Sequence, residues 1–149
     1  MFQKLLHNKS KAILFFLAIL AFAIIRTFES SIFYDPLLEF FKGDYANEPI
    51  PAMNEWSLFI NLFFRYVLNT ALSVFIIHLF FQNKEHVKVA TFLYFIFGLT
   101  LLILFAMVLN YFSNRVMVLF YIRRFIIQPI FLLLFIPAFY FQQFQLKKQ

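Results

Sequence analysis

The chain has 149 residues, of which 63% are hydrophobic and 13% are charged, and phenylalanine occupies 26 positions. Soluble domains carry about 25% charged residues, and a chain of this length cannot bury so much apolar surface in its own core. The composition therefore excludes an ordinary soluble domain and predicts a single membrane domain over residues 1–149. The lack of cysteine excludes disulfides, thiolate metal sites and a thiol nucleophile. The net charge of +6 does not indicate nucleic acid, because the lysines lie mainly at the chain ends and in one short loop.

Four apolar runs predict an all-α membrane protein with about four transmembrane helices. The first run covers about residues 11–27 and follows a basic leader, which is also the layout of a signal peptide. The tetrapeptide Arg26-Thr27-Phe28-Glu29 offers no small-x-small cleavage site. We therefore expect this first helix to be retained.

A long connection follows over about residues 28–55. Asp35 and Pro36 form a favourable helix start, because Asp can cap the first turn and Pro is preset for it. Apolar residues follow from Leu37 to Phe41. We predict a short amphipathic helix here, lying on the outer membrane surface, and Trp56 then marks the water–lipid boundary.

The remaining runs cover about residues 56–81, 89–112 and 116–144. The last is long and contains four residues that disturb a span, Arg123, Arg124, Pro129 and Pro137. It is either one tilted, kinked helix or a short interfacial piece followed by a span that begins near Phe125. Gly98 is the one glycine within a run, so we expect the helices to interlock through Phe and Leu side chains.

The distribution of charge predicts the orientation. Lysines precede the first run, separate the second from the third and close the chain, whereas six of the seven acids lie between residues 29 and 55. An even number of spans puts these lysine-rich segments on one side, which the positive-inside rule makes cytoplasmic. Both termini are therefore predicted to be cytoplasmic (N-in/C-in), with the long connection outside.

Polar residues at membrane depth are costly, so they indicate where structure or function requires them. Asn61, Arg65, Asn69 and Ser73 recur every four residues, which places them on one face of the second predicted span. Arg65 lies about 13 Å below the boundary at Trp56, at about 1.5 Å per residue.

The last run carries a second polar group at similar depth. Arg123 and Arg124 lie about 10–12 Å below its start, and Gln128 shares a face with Arg124. We expect Arg65 to meet Arg124 and Gln128 around an anion or water, to meet an acid of the outer loop, or to meet another protein. The candidates for anion or partner binding are Asn61, Arg65, Asn69, Arg123, Arg124 and Gln128.

Three interpretations of these arginines remain open. They snorkel to lipid phosphates, they form structural ion pairs with acids of the outer loop, or they bind an external carboxylate or phosphate through their planar forks. For Arg26 and Arg115, which lie near the ends of runs, snorkelling is the favoured interpretation.

The sequence shows no pattern typical of a metal site, a proton-transfer site or an enzyme active site. No pair of histidines has metal-ligand spacing, and no apolar run carries an acid at its centre. Serine-nucleophile, phosphate-loop and dinucleotide motifs are likewise missing from the sequence. The sequence therefore predicts no catalytic residue, no metal and no cofactor.

Three segments carry a family resemblance: Phe33–Phe41 (FYDPLLEFF), the polar helix with Asn61, Arg65 and Asn69, and Arg123–Pro129 (RRFIIQP). Together they resemble the exosortase F-associated membrane proteins of flavobacteria, which are small multi-span proteins found with an exosortase. The resemblance implies a place in the bacterial cytoplasmic (inner) membrane and an accessory role beside a membrane protein-sorting transpeptidase. Exosortases use a cysteine nucleophile, which this chain lacks.

The leading hypothesis is therefore a non-enzymatic accessory membrane protein of an exosortase-type sorting system, surrounded by lipid and bound to a membrane protein partner. The alternative is a membrane enzyme or carrier that recognises an anionic lipid-linked group through the arginine layer. A chain this small could also work as an oligomer.

Overall fold

The computed structural model describes residues 9–43, 45, 48–112 and 115–146. Within those residues the secondary structure is entirely helical. Lipid offers no hydrogen-bond partners, so an apolar run in a membrane must satisfy its backbone N–H and C=O groups internally, as a helix does. Seven helices are present in this part of the chain: α1 (Lys9–Thr27), α2 (Glu29–Ile32), α3 (Leu37–Phe40), α4 (Glu55–Phe81), α5 (Lys84–Tyr111), α6 (Val116–Ile127) and α7 (Ile130–Leu146).

Three of the described helices, α1, α4 and α5, are long and apolar enough to cross a membrane. A fourth crossing is available if α6 and α7, which are bent by 59° at a short break, count as one span. The prediction of an all-helical membrane protein is confirmed at this level. At 27 and 28 residues, α4 and α5 are each about 40 Å long, so their ends extend beyond a hydrocarbon layer of about 30 Å.

A tight hairpin joins α4 to α5. Gln82 adopts a left-handed conformation with φ of 51°, and its backbone N–H donates to the carbonyl of His78 to close α4. The Asn83 side chain then accepts a hydrogen bond of 2.9 Å from the backbone N–H of Glu85, which caps the start of α5. The two longest helices therefore run antiparallel as neighbours.

Gly98 fixes how closely α4 and α5 approach each other. The ring of Tyr66 on α4 lies directly on this glycine, and a Cβ added there would stand 2.9 Å from the ring carbon Cζ. The Tyr66 hydroxyl reaches past the glycine to donate to the carbonyl of Tyr94 at 2.6 Å. The hairpin thus contains one glycine–tyrosine contact as well as the expected packing of large side chains against each other.

The segment between α1 and α4 folds into the bundle. Leu37 is fully buried and Phe41 is half-buried against the core, and the Tyr45 ring stacks on Phe120 of α6 with centroids 5.8 Å apart. The predicted short helix is the single turn α3. The prediction that Asp35 caps it is wrong, because α3 has no side-chain cap and the Asp35 carboxylate binds two arginines instead.

The last apolar run is divided at Gln128 and Pro129. Pro129 lacks a backbone N–H and disfavours helical geometry in the residue before it, so α6 ends at Ile127 and Gln128 is extended. Pro137, by contrast, is accommodated inside α7. The run therefore forms two helices that meet at an angle. The break between them, at Gln128, lies three residues after Phe125, where the span was predicted to begin.

Candidate functional site

The polar face of α4 points into the bundle. Arg65, Asn69 and Ser73 are buried, with 2%, 6% and 0% of their surface exposed, and Asn61 is half-buried. Four-residue spacing keeps side chains on the same side of a helix, so one face of α4 carries all four toward its neighbours.

Two carboxylates from the segment between α1 and α4 bind Arg65. Its Nη1 donates to Oδ2 of Asp35 at 2.9 Å, and its Nη2 donates to Oε2 of Glu29. The guanidinium carbon also lies 5.4 Å from the centroid of the Phe33 ring, a cation–π distance. Arg65 is therefore held from two sides by acids and sealed by an aromatic ring.

Asp35 is shared with a second arginine, Arg123 of α6. Nε of Arg123 donates to Oδ1 of Asp35 at 3.3 Å, and its Nη2 donates to Oδ2. This two-pronged geometry is the strongest form of an arginine–carboxylate pair. Phe41 covers the Arg123 guanidinium at 5.7 Å, so each arginine has its own aromatic cover.

We call Glu29, Asp35, Arg65 and Arg123 the ion cluster. Its side chains are 10%, 2%, 2% and 5% exposed, and two positive charges balance two negative ones. Arg26, whose side chain is 58% exposed, borders the cluster through a 2.9 Å contact with Glu29. The geometry matches the structural ion-pair interpretation of Arg65 and Arg123, since their charges are neutralised within the chain.

Two asparagines of α4 bind backbone groups of neighbouring segments. Asn61 Oδ1 accepts from the backbone N–H of Tyr34 at 3.2 Å, which ties the segment before α3 to α4. Asn69 Nδ2 donates to the carbonyl of Ile127 at 2.8 Å, the last residue of α6. Because a broken helix leaves carbonyls that lipid cannot satisfy, Asn69 supplies a hydrogen bond that the break requires.

Arg124 and Gln128 do not join this group. Arg124 is exposed, and its Nε donates to Oε1 of Gln128 at 3.1 Å. Of the three arrangements expected for Arg65, the structure shows the one with acids of the outer loop and not the one with Arg124 and Gln128, because α6 turns Arg123 inward. Arg123 lies on the buried stripe of α6, which also contains Leu119, Ile122, Ile126 and Ile127.

Three members of the buried polar groups were not named from the sequence. Ion pairs between the arginines and acids of the outer loop were one expectation, but nothing in the sequence singled out Glu29 and Asp35 among the six acids there. His86 also goes beyond what sequence indicated: it is 5% exposed, stacks on Phe139 at 4.8 Å and lies 3.2 Å from the side chain of Gln143. Its aromatic neighbours come from α4 and α7, which no local pattern shows.

Among the described residues, no group of three or more His, Cys, Asp or Glu side chains is arranged to hold a metal ion. No protein-family model, curated protein or solved structure matches this chain.

Proposed function

We propose that this chain is a non-enzymatic accessory protein of a bacterial cytoplasmic membrane, which acts by binding a membrane protein partner. The observation that supports this most is the ion cluster. Arg65 and Arg123, the two candidate arginines that face the interior of the bundle, are buried and paired within the chain. Such a cluster fixes the position of the segment between α1 and α4 and gives the protein a defined surface to present.

The alternative, an enzyme or carrier for an anionic lipid-linked group, requires an open arginine pocket. An incoming phosphate would have to displace Glu29 or Asp35 from arginines that are at most 5% exposed. Displacement would also leave a carboxylate without a partner in a low-dielectric interior, at a cost of several kcal/mol. The geometry therefore favours the accessory role.

The proposal includes the orientation and the class of partner. Both termini are cytoplasmic, which the lysine distribution supports, and the partner is an exosortase-type sorting enzyme, which the sequence resemblance supports. Because the chain has no cysteine, single cysteines at Ser10, Ala46 and Gln145 can be probed with an impermeant thiol reagent in cells with a permeabilised outer membrane. Labelling at Ala46 alone is expected. Labelling at Ser10 or Gln145 would contradict the proposed orientation.

Co-purification tests the accessory role itself. The tagged full-length chain is extracted from its native membrane in mild detergent, beside an unrelated tagged multi-span protein as control. A membrane protein enriched with this chain and not with the control is expected. If none is enriched, the accessory role is wrong; if the enriched protein is not an exosortase, the assignment of partner class is wrong.

A further inference from the structure

Arg124 differs from the other arginines near it. Arg65 and Arg123 are neutralised by carboxylates, and Arg26 contacts Glu29. Arg124 is exposed, and the hydrogen bond that the structure shows for it goes to the neutral amide of Gln128. Among the described residues it has no ion pair, so a full positive charge faces away from the bundle.

The depth of Arg124 follows from two contacts between α4 and α6. Arg65 and Arg123 share Asp35, and one turn further along both helices, Asn69 bonds the carbonyl of Ile127. The two helices therefore descend side by side from the side of the membrane where the segment between α1 and α4 lies, here called the loop side. Arg124 is at the depth of Arg65, about 15 Å from the start of α4.

The hydrogen bond made by Arg124 argues against snorkelling. A snorkelling arginine extends back toward the nearer water boundary, which here means toward the start of α6. Arg124 Nε instead donates to Oε1 of Gln128, four residues further along the chain, at 3.1 Å. This bond ties the guanidinium group to a residue that lies deeper than Arg124 itself.

The surroundings of Arg124 have the composition of a protein contact. Met117, Tyr121, Arg124 and Gln128 succeed one another at three or four residues along one side of α6, with Phe125 beside them. Met117, Tyr121 and Phe125 are 53%, 52% and 39% exposed. Met, Tyr, Phe and Arg are residue types enriched in protein–protein interfaces, so this Arg124 stripe has the composition of a docking surface as well as an unpaired charge.

Among its described residues, a second copy of this chain offers no free carboxylate at the depth of Arg124. Six of the seven acids lie in residues 29–55 and the seventh, Glu85, lies in the first turn of α5. Among the described acids, those at the level of Arg65 are Glu29 and Asp35, and both are already bound to arginines. We therefore assign the missing negative charge to another protein.

We propose that the Arg124 stripe docks a transmembrane helix of a partner protein that carries an Asp or Glu in the loop-side third of its span. Arg124 pairs with that carboxylate, and Gln128 holds the guanidinium fork in place. This assignment rests on the proposed accessory role, since it names the chemistry of the partner that the role requires.

Photo-crosslinking in the native membrane tests the proposal. The photoreactive amino acid p-benzoylphenylalanine replaces Tyr121 in the full-length chain, and a control probe replaces Phe16 on α1, which is 61% exposed. Adducts are identified by peptide mass spectrometry. The Tyr121 probe is expected to capture a membrane-spanning peptide that contains Asp or Glu, which the Phe16 probe does not capture.

Variants of Arg124 then test whether the crosslinked adduct depends on the positive charge of this residue. Arg124→Leu should keep normal abundance, because Arg124 is exposed, and should reduce the adduct by about tenfold or more. Arg124→Lys should retain part of it, since Lys keeps the charge without the fork. Arg115→Leu, at the exposed start of the same helix, should leave the adduct unchanged.

Other outcomes overturn the proposal. An adduct that persists in Arg124→Leu, a captured peptide without an acid, an adduct with lipid or a second copy alone, or no adduct would each do so. If the wild-type chain still co-purifies with a membrane protein, these results remove the docking assignment and leave the accessory role standing. If it co-purifies with none, both fall.

Discussion

Replacing Asp35 with asparagine is the sharpest test of the ion cluster. Asparagine preserves the size and shape of the side chain but removes the charge that both Arg65 and Arg123 bind. Glu29 would then be the one carboxylate left in the cluster, beside two buried arginines, which gives the cluster a net charge of +1. Arg123 loses the only carboxylate that contacts it among the described residues.

Removing one partner of a buried ion pair costs about 3–5 kcal/mol, because the remaining charge stays desolvated. For a chain of about 150 residues each kcal/mol lowers the melting temperature by about 2–4 °C. We therefore expect Asp35→Asn to melt about 6–20 °C below the wild-type protein. The assay is size-exclusion chromatography in detergent after stepwise heating, detected through a fluorescent-protein tag.

A control variant and a double variant show whether the lower melting temperature comes from the unpaired charge. Glu39→Gln removes an exposed carboxylate four residues away in the same segment and should change the melting temperature little. The double variant Asp35→Asn/Arg123→Gln removes the unpaired charge as well, and should recover about 1–3 kcal/mol of the loss. A melting temperature for Asp35→Asn equal to that of Glu39→Gln would refute the reasoning.

Two other contacts give predictions with built-in controls. Gly98→Ala should destabilise the protein by about 1–3 kcal/mol, because the new methyl group meets the ring of Tyr66, whereas Gly43→Ala meets nothing closer than 3.7 Å and should be neutral; equal melting temperatures would contradict this. Asn69→Leu should cost about 1–3 kcal/mol by leaving the last carbonyl of α6 without its bond. Asn110→Leu removes only an exposed bond within its own helix, so a loss of equal size there would show that the break at the end of α6 does not need Asn69.

The sequence predicted what depends on local pattern. Apolar runs of sufficient length indicated the membrane helices, and the four-residue spacing of Asn61, Arg65, Asn69 and Ser73 indicated the inward face of α4. These features follow from helix periodicity and the cost of polar groups in lipid, so they do not require knowledge of the partners.

What failed depends on contacts between distant residues. Asp35 precedes Pro36, which locally favours a helix cap, but partners 30 and 88 residues away in sequence compete for the same carboxylate and win. The choice between Arg123 and Arg124 could have been made from the sequence. Leu119, Ile122 and Ile126 mark an apolar stripe that includes Arg123 and leaves Arg124 outside it.

The order of synthesis gives the ion cluster a further consequence. Glu29 and Asp35 leave the ribosome before Arg65, and Arg123 emerges last. Until α6 is made, Glu29 can pair with Arg26 and Asp35 with Arg65, but Asp35 lacks its two-pronged partner Arg123. A chain that stops before α6 therefore lacks one of the two arginines that bind Asp35. The complete cluster forms only after the second half of the protein has been made.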